Sequence, residues 1–301
     1  PTTDNWKGVE VHRPKIVDFS DVYRIFVDEE LRRWGDGLKF FSDVVTYNML
    51  SASKLVNQIA NDRKFDLVDA HDWLGIAGGI VAKECLDIPL FFHVHSTEKG
   101  RSMGKGSRTI EDFEYLGGQI ADRVITVSYA MMEHLTTLGF DRDKIRVIWN
   151  GVNPSKYNSL RIKDGERKIL RRRYGITDED VMLLFVGRLT GVKGVINLVK
   201  AMASLKGHKN LKLVILGVGE LDKEIRILIK KLDLGDRVKL RTEFVEEEER
   251  ILHYAASDVV VLPSCYEPFG IVCTEAMSMA KPVVVGARGI SGFKEQVIAD
   301  G

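Results

Sequence analysis

Cysteine is scarce in this chain: Cys85, Cys265 and Cys273 are its three cysteines, and none stands in a C-x-x-C spacing. An odd, scattered set supplies neither a disulfide framework nor a structural zinc site, so a reducing compartment, the cytoplasm, is expected. Long apolar runs are missing too. No stretch reaches the roughly 18 to 20 residues that a membrane span requires, and the opening PTTDNWKG has no signal-peptide core. A soluble protein without a membrane span is expected. Lysine and arginine number 44 against 43 aspartates and glutamates, a formal charge of +1, which leaves no electrostatic footprint for nucleic acid or a polybasic membrane anchor. What remains is ordinary globular composition, 45% hydrophobic and 29% charged, in a chain of 301 residues that is long for one compact unit. Two domains are expected.

Short β-branched runs recur along the chain, each followed by a turn and a segment of helical period. They are DLVDAHDW, IPLFFHVHS, ADRVITVS and KIRVIWNG, then VMLLFVGRL, LKLVILGVG, DRVKLRT, ASDVVVLPS and KPVVVGARG. This is a βαβ rhythm. Strands so continuously apolar are buried on both faces, which predicts an α/β fold of doubly wound parallel sheets sandwiched by helices. The rhythm breaks between Val152 and Asp180, where the sequence is polar, basic and poor in strand formers. The expected division is therefore residues 1–155, a linker at 156–179, and a second domain at 180–301. Arg171 to Arg173 read as a solvated helix face near that linker. The acidic run from Glu246 reads as a helix start, where acids complement the dipole.

GRLTGVKG, Gly187 to Gly194, closes one strand and precedes a helix. Glycines there allow close backbone approach, and Arg188 and Lys193 bring two positive charges to the same mouth, as a diphosphate requires. Lys193 reads as an exposed loop lysine that contributes little to stability. LGVGE, with Gly217, also closes a strand, but a tight βα turn uses glycine without any ligand. In FFHVHSTEKGR, His93 and His95 alternate along a strand and share one face. His71 in HDW could complete a metal site, but histidines satisfied by hydrogen bonds near the core are the stronger reading, and no metal is assigned. A third reading has His95 and Asp72 facing a cleft. CYEPFGIVCTE carries Glu267 and Glu275 on either side of a Pro268-Phe269-Gly270 turn whose amides are open to hydroxyls or an oxyanion. The two acids read either as a glycosidase pair or, for Glu275, as a complement to a helix dipole.

Together these segments resemble the nucleotide-sugar glycosyltransferases of the GT-B fold, in particular the retaining glycogen and starch synthase-like group with its archaeal members. VDAHDW, HSTEKGR, ITVS, IWNGVNPSKY, GRLTGVKG and EPFGIVCTE stand in the family's order and spacing. The resemblance implies two Rossmann-like domains facing a cleft, an acceptor-side domain first and a donor-binding domain second. It implies that Arg188 and Lys193, with Gly187 and Gly194, neutralise the donor diphosphate. Glu267, Pro268, Phe269 and Gly270 then lie beside the donor sugar, Glu275 grips the ribose, His95 sits near the reacting sugar, and Asp72 lies beside the acceptor or donor hydroxyls; Gly217, at a strand's carboxyl end, is read from its position as a donor-site residue as well. Glu98 and Arg101 belong to the same pocket. The implied reaction is retaining transfer of a sugar, foremost glucose, from ADP- or UDP-glucose to a glycan such as a growing α-1,4-glucan, with no cofactor required. Mannosyl- and sucrose-phosphate-type transferases share these motifs, and a non-catalytic nucleotide- or carbohydrate-binding fragment is the alternative of another class. The family's first strand and glycine-rich loop precede the point where this chain opens, and its last elements follow ADG. Both domains are therefore expected to be partial.

Overall fold

The computed structural model describes residues 2–297; Pro1 and residues 298–301, including the ADG terminus, lie outside the described residues. Two compact units emerge. The first comprises residues 1–127 and 131–148, the second residues 128–130 and 149–301.

The first unit opens on an antiparallel hairpin, β1 (Thr2–Trp6) and β2 (Val9–Arg13), which the apolar rhythm does not announce. Its two-residue loop has positive φ at both Lys7 and Gly8, 52° and 86°, the geometry that matches strand twist in tight hairpins. Three helices follow, α1 (Ser20–Phe26), α2 (Glu29–Arg32) and α3 (Asp36–Lys54). The parallel sheet then runs in the order β3 (Val68–His71), β4 (Leu90–Val94), β5 (Arg123–Thr126), β6 (Ile145–Val147). Its crossovers are α4 (Asp72–Leu86), then α5 (Glu98–Arg101) with α6 (Arg108–Ile120), then α7 (Tyr129–Thr137). Leu90, Phe92 and Val94 are wholly buried, as period-2 alternation demands of a covered face. α3 is joined to α4 by Asn48, whose side chain donates to the Leu74 carbonyl at 2.7 Å and accepts the Gly78 N–H at 2.7 Å.

The second unit is a five-stranded parallel sheet in the order β11-β10-β7-β8-β9. Its elements in chain order are α8 (Asp164–Arg173), β7 (Val181–Val186), α9 (Val195–Ser204), β8 (Leu211–Leu216), α10 (Asp222–Lys231) and β9 (Val238–Arg241). α11 (Glu247–Ala256), β10 (Val259–Leu262), α12 (Ile271–Ser278) and β11 (Val283–Val285) complete it. Alternation along the strands divides the core. Met182, Leu184, Val214 and Val260 pack with Leu170 of α8, Tyr254 of α11 and Ala276 of α12. Phe185, Leu213, Ile215 and Val238 pack with Val195 and Val199 of α9 and Ile225 of α10. Helices thus cover both faces, the doubly wound arrangement expected of such strands.

The stretch expected as a linker is built differently. Residues 156–179 contain α8, and Tyr157, Leu170 and Ile176 lie in the second core, so the chain passes between units at Ile148 and Trp149 instead. Arg171 is the reason a basic, polar segment can dock. Only 8% exposed, it donates to the carbonyls of Ala256 (3.0 Å), Thr177 (2.9 Å) and Asp180 (2.5 Å) and to the Asp258 carboxylate (2.9 Å). A guanidinium is tolerated in a core when its N–H groups find acceptors. Arg172 and Arg173 are exposed, as expected of a solvated face.

Candidate functional site

In the second unit the candidate residues gather where the strands end. Gly187 leaves β7 and donates to the Leu216 carbonyl at 3.1 Å, and Leu189 donates to Val218 at 2.9 Å, so the loops after β7 and β8 are laced together. A Cβ on Gly217 would collide with the Gly187 carbonyl oxygen, which gives Gly217 a packing role at this seam. The GRLTGVKG loop ends in a short 3-10 turn, Gly191–Lys193, and Gly194 starts α9 with φ of 70°. A side chain at Gly194 would strike the Pro263 carbonyl, so glycine is required there by both backbone and space.

Arg188 is exposed and makes no ion pair among the described residues. Lys193 differs from the exposed lysine expected. Its Nζ lies 2.5 Å from Glu267 Oε2, with side-chain exposures of 18% and 8%, and Ser264 Oγ donates to the same oxygen at 3.0 Å. The Glu267 backbone is fixed as well: its N–H donates to the Ile290 carbonyl at 2.9 Å and its carbonyl accepts the Gly292 N–H at 2.8 Å. Around the turn, the Pro268 carbonyl accepts Ser128 Oγ at 2.5 Å, the Phe269 carbonyl accepts Gln296 Nε2 at 2.6 Å, and Gly270 precedes α12.

Glu275 sits one turn into α12 and is 7% exposed. Its Oε1 accepts the Tyr157 hydroxyl at 2.7 Å and Arg250 at 3.4 Å, and its Oε2 accepts the Tyr254 hydroxyl at 2.7 Å. Burial, then the adjacent Glu275 charge, pushes the Tyr254 hydroxyl well above its ordinary range. Glu267 and Glu275 therefore occupy different surroundings. A pair of glycosidase carboxylates would both be open to a sugar, whereas Glu275 has most of its acceptor capacity committed.

In the first unit, His71 and His93 are register partners on β3 and β4, and His95 follows on the same side of β4. All three rings stack, with centroids 4.5 to 5.1 Å apart, and His71 Nδ1 lies 2.8 Å from His95 Nε2. Burial, then the neighbouring imidazoles His95 and His71, lowers the pKa of His93. Asp72 begins α4 with φ of 50°, a strained value for a residue with a side chain, and its Oδ1 accepts the His95 N–H at 2.8 Å. Asp72 thereby fixes the backbone that carries His95.

Glu98 and Arg101 belong to an internal network. The Glu98 N–H reaches both oxygens of Glu114, at 2.8 and 3.0 Å, while Arg101 donates to Glu98 Oε2 at 3.2 Å, Glu114 Oε1 at 3.3 Å and Ser96 Oγ at 2.7 Å. Glu114 is 3% exposed, and burial raises its pKa to about 8 against the opposing pull of Arg101. The motifs assign no role to Glu114, Tyr157, Arg250 or Tyr254, although Tyr157 closes the IWNGVNPSKY segment. Glu114 left a signal: it shares the helical face of Ile110 and Gly117, at apolar spacing.

Residues 19–156 match the family model "Glycosyltransferase Family 4", and residues 166–301 match "Glycosyl transferases group 1". With its two parallel-sheet units, the chain belongs to the glycosyltransferases of the GT-B fold. It is 36% identical over 251 residues to an uncharacterized glycosyltransferase of Methanocaldococcus jannaschii, covering 81% of this chain and 64% of that protein. It is 30% identical over 276 residues to the glycogen synthase of Mycobacterium tuberculosis, covering 88% of this chain and 62% of the relative. Among solved structures, Anabaena HepE in complex with UDP-glucose superposes with a TM-score of 0.69 at 27% identity, over 82% of this chain and 65% of that one. The chain thus spans somewhat under two thirds of the relatives it matches.

Proposed function

We propose that this protein is a retaining glycosyltransferase that moves a hexose, foremost glucose, from a nucleotide-diphosphate sugar to a glycan acceptor. The observation that carries the reading is the convergence of Arg188, Lys193 and Glu267 at the carboxyl ends of β7 and β10, where an open α/β sheet binds its ligands. HepE, a relative in fold, binds UDP-glucose, and the mycobacterial relative is a glycogen synthase. These support ADP- or UDP-glucose as donor and an α-1,4-glucan as acceptor.

On this reading the unpaired Arg188 attracts the diphosphate, and Lys193 turns from Glu267 toward the arriving anion. Two cations then stabilise the charge that develops on the departing nucleotide diphosphate. Glu267, released from Lys193 but still held by Ser264, accepts a hydroxyl of the donor sugar, and the Pro268 to Gly270 turn lies alongside. Gly187, Gly194 and Gly217 let the backbone close on the phosphates. Glu275 has one acceptor direction on Oε2 for a ribose hydroxyl beyond those used by its tyrosines. In the first unit His95 serves the reacting sugar and Asp72 positions it. A diphosphate oxygen takes the proton of the incoming hydroxyl, so the protein's contribution is positioning and charge stabilisation.

The test is to incubate the protein with ADP-glucose, UDP-glucose and GDP-mannose, with and without glycogen, and follow nucleotide diphosphate release. Glycogen-dependent release from a glucose donor is expected. Release from none of the three, in a protein extended to the length of its relatives, would overturn the transferase reading.

A further inference from the structure

The three stacked histidines of the first unit are more than one reacting sugar requires. We propose that His71, His93 and His95 form a binding site for a single transition-metal cation of the kind imidazole prefers, Zn2+ foremost.

The case rests on how the fold delivers the ligands. His71 ends β3 and His93 is its register partner on β4, so parallel pairing sets the two side by side. His95, two residues further along, points to the same face. One ligand nitrogen from each ring lies within 4.8 Å of the other two. A zinc ion about 2.0 to 2.1 Å from each nitrogen needs them roughly 3.3 Å apart, so the rings have to close by up to about 1.5 Å. His71 and His95 already meet at 2.8 Å, and His71 is exposed and able to turn. Stacked rings direct their in-plane lone pairs past one another, so binding requires the rings to tilt.

Asp69 completes the arrangement. Its Oδ2 lies 3.3 Å from His71 Nε2 and 3.8 Å from His93 Nδ1. A carboxylate behind ligating histidines fixes tautomer and ring orientation in metal sites. Three imidazoles with one carboxylate suit Zn2+, Ni2+, Cu2+ or Co2+, whereas Mg2+ and Ca2+ favour all-oxygen shells. Occupancy takes up the lone pair of His95. On the proposed transfer reaction, and resting on that reading, the metal therefore inhibits.

The experiment is a titration of chelator-treated, tag-free protein with Zn2+ in competition with a chromogenic chelator, using the wild type, His71→Ala and His93→Ala, each checked for native circular dichroism. One Zn2+ per chain at micromolar or tighter affinity is expected, weakened at least tenfold in either variant. If a variant loses its native spectrum, His71→Gln and His93→Gln carry the same expectation. Absence of stoichiometric binding, or binding equal in wild type and variants, overturns the site. Because the readout is metal binding, its failure is separate from failure of the transferase reading: a protein that binds Zn2+ but transfers no sugar keeps the site and loses only the inhibition.

Discussion

Lys193 and Glu267 have the most to lose from separation. Both side chains are largely shielded from water, so removing the cation leaves a carboxylate whose remaining side-chain partner among the described residues is Ser264. Breaking a buried pair by deleting one partner costs about 3 kcal/mol or more, whereas replacing both with neutral groups of similar shape is nearly neutral. Lys193→Ala is therefore expected to lower stability by about 3 kcal/mol in urea unfolding and to slow nucleotide diphosphate release by roughly a hundredfold or more, the scale of losing one charge-stabilising donor. The double variant Lys193→Met with Glu267→Gln should regain most of the stability and none of the activity. If the double variant transfers sugar at the wild-type rate, neither residue serves the donor. The sequence shows these two residues as belonging to one site, because each stands in a strand-exit motif. Their mutual neutralisation is not legible there, since 74 positions separate them and their loops meet through the pairing of β7 with β10 and the Cys265 N–H that donates to the Val192 carbonyl at 2.7 Å. The same holds for Glu275: its partners Tyr157 and Tyr254 lie 118 and 21 positions away, and nothing in their own segments marks them as its partners.

At the scale of elements, β-branched runs predict the parallel strands well because the central ones are packed on both faces and each carries the signal in its own composition. The β1–β2 hairpin and α8 escape that reading. The hairpin is exposed except for the half-buried Val11 and His12, so no apolar alternation marks it, and its turn is Lys-Gly rather than the commoner Asn-Gly. α8 has the composition of a linker, and what docks it is one arginine whose acceptors lie up to 87 residues away. The α5–α6 corner offers a test through Glu114. Its folded pKa of about 8 lies above the ordinary 4.5, so the folded protein holds a proton that the unfolded chain releases between those values. The contribution is fully present below pH 4.5 and is lost as pH rises through 8, with a slope of up to about 1.4 kcal/mol per pH unit in between. Glu114→Gln should flatten the fall in unfolding free energy from pH 5 to 8. A wild-type curve that rises over this range as steeply as the variant's would contradict the assignment.

Over the whole molecule, near-neutral charge and two separately packed units direct attention to local sites rather than to a global field. The fold class follows from the sequence rhythm, and membership of the GT-B glycosyltransferases rests on both units. On the proposed function, the strand ends of the second unit hold a nucleotide diphosphate through Arg188 and Lys193. Arg188 carries the most direct test, because it is exposed, forms no ion pair among the described residues, and can be replaced without unpairing another charge. Calorimetric titration of UDP and ADP into the wild type and Arg188→Ala is the measurement. One bound diphosphate per wild-type chain, with affinity at least tenfold weaker in Arg188→Ala, is the predicted result; no binding, or equal affinity in the two proteins, would contradict the account.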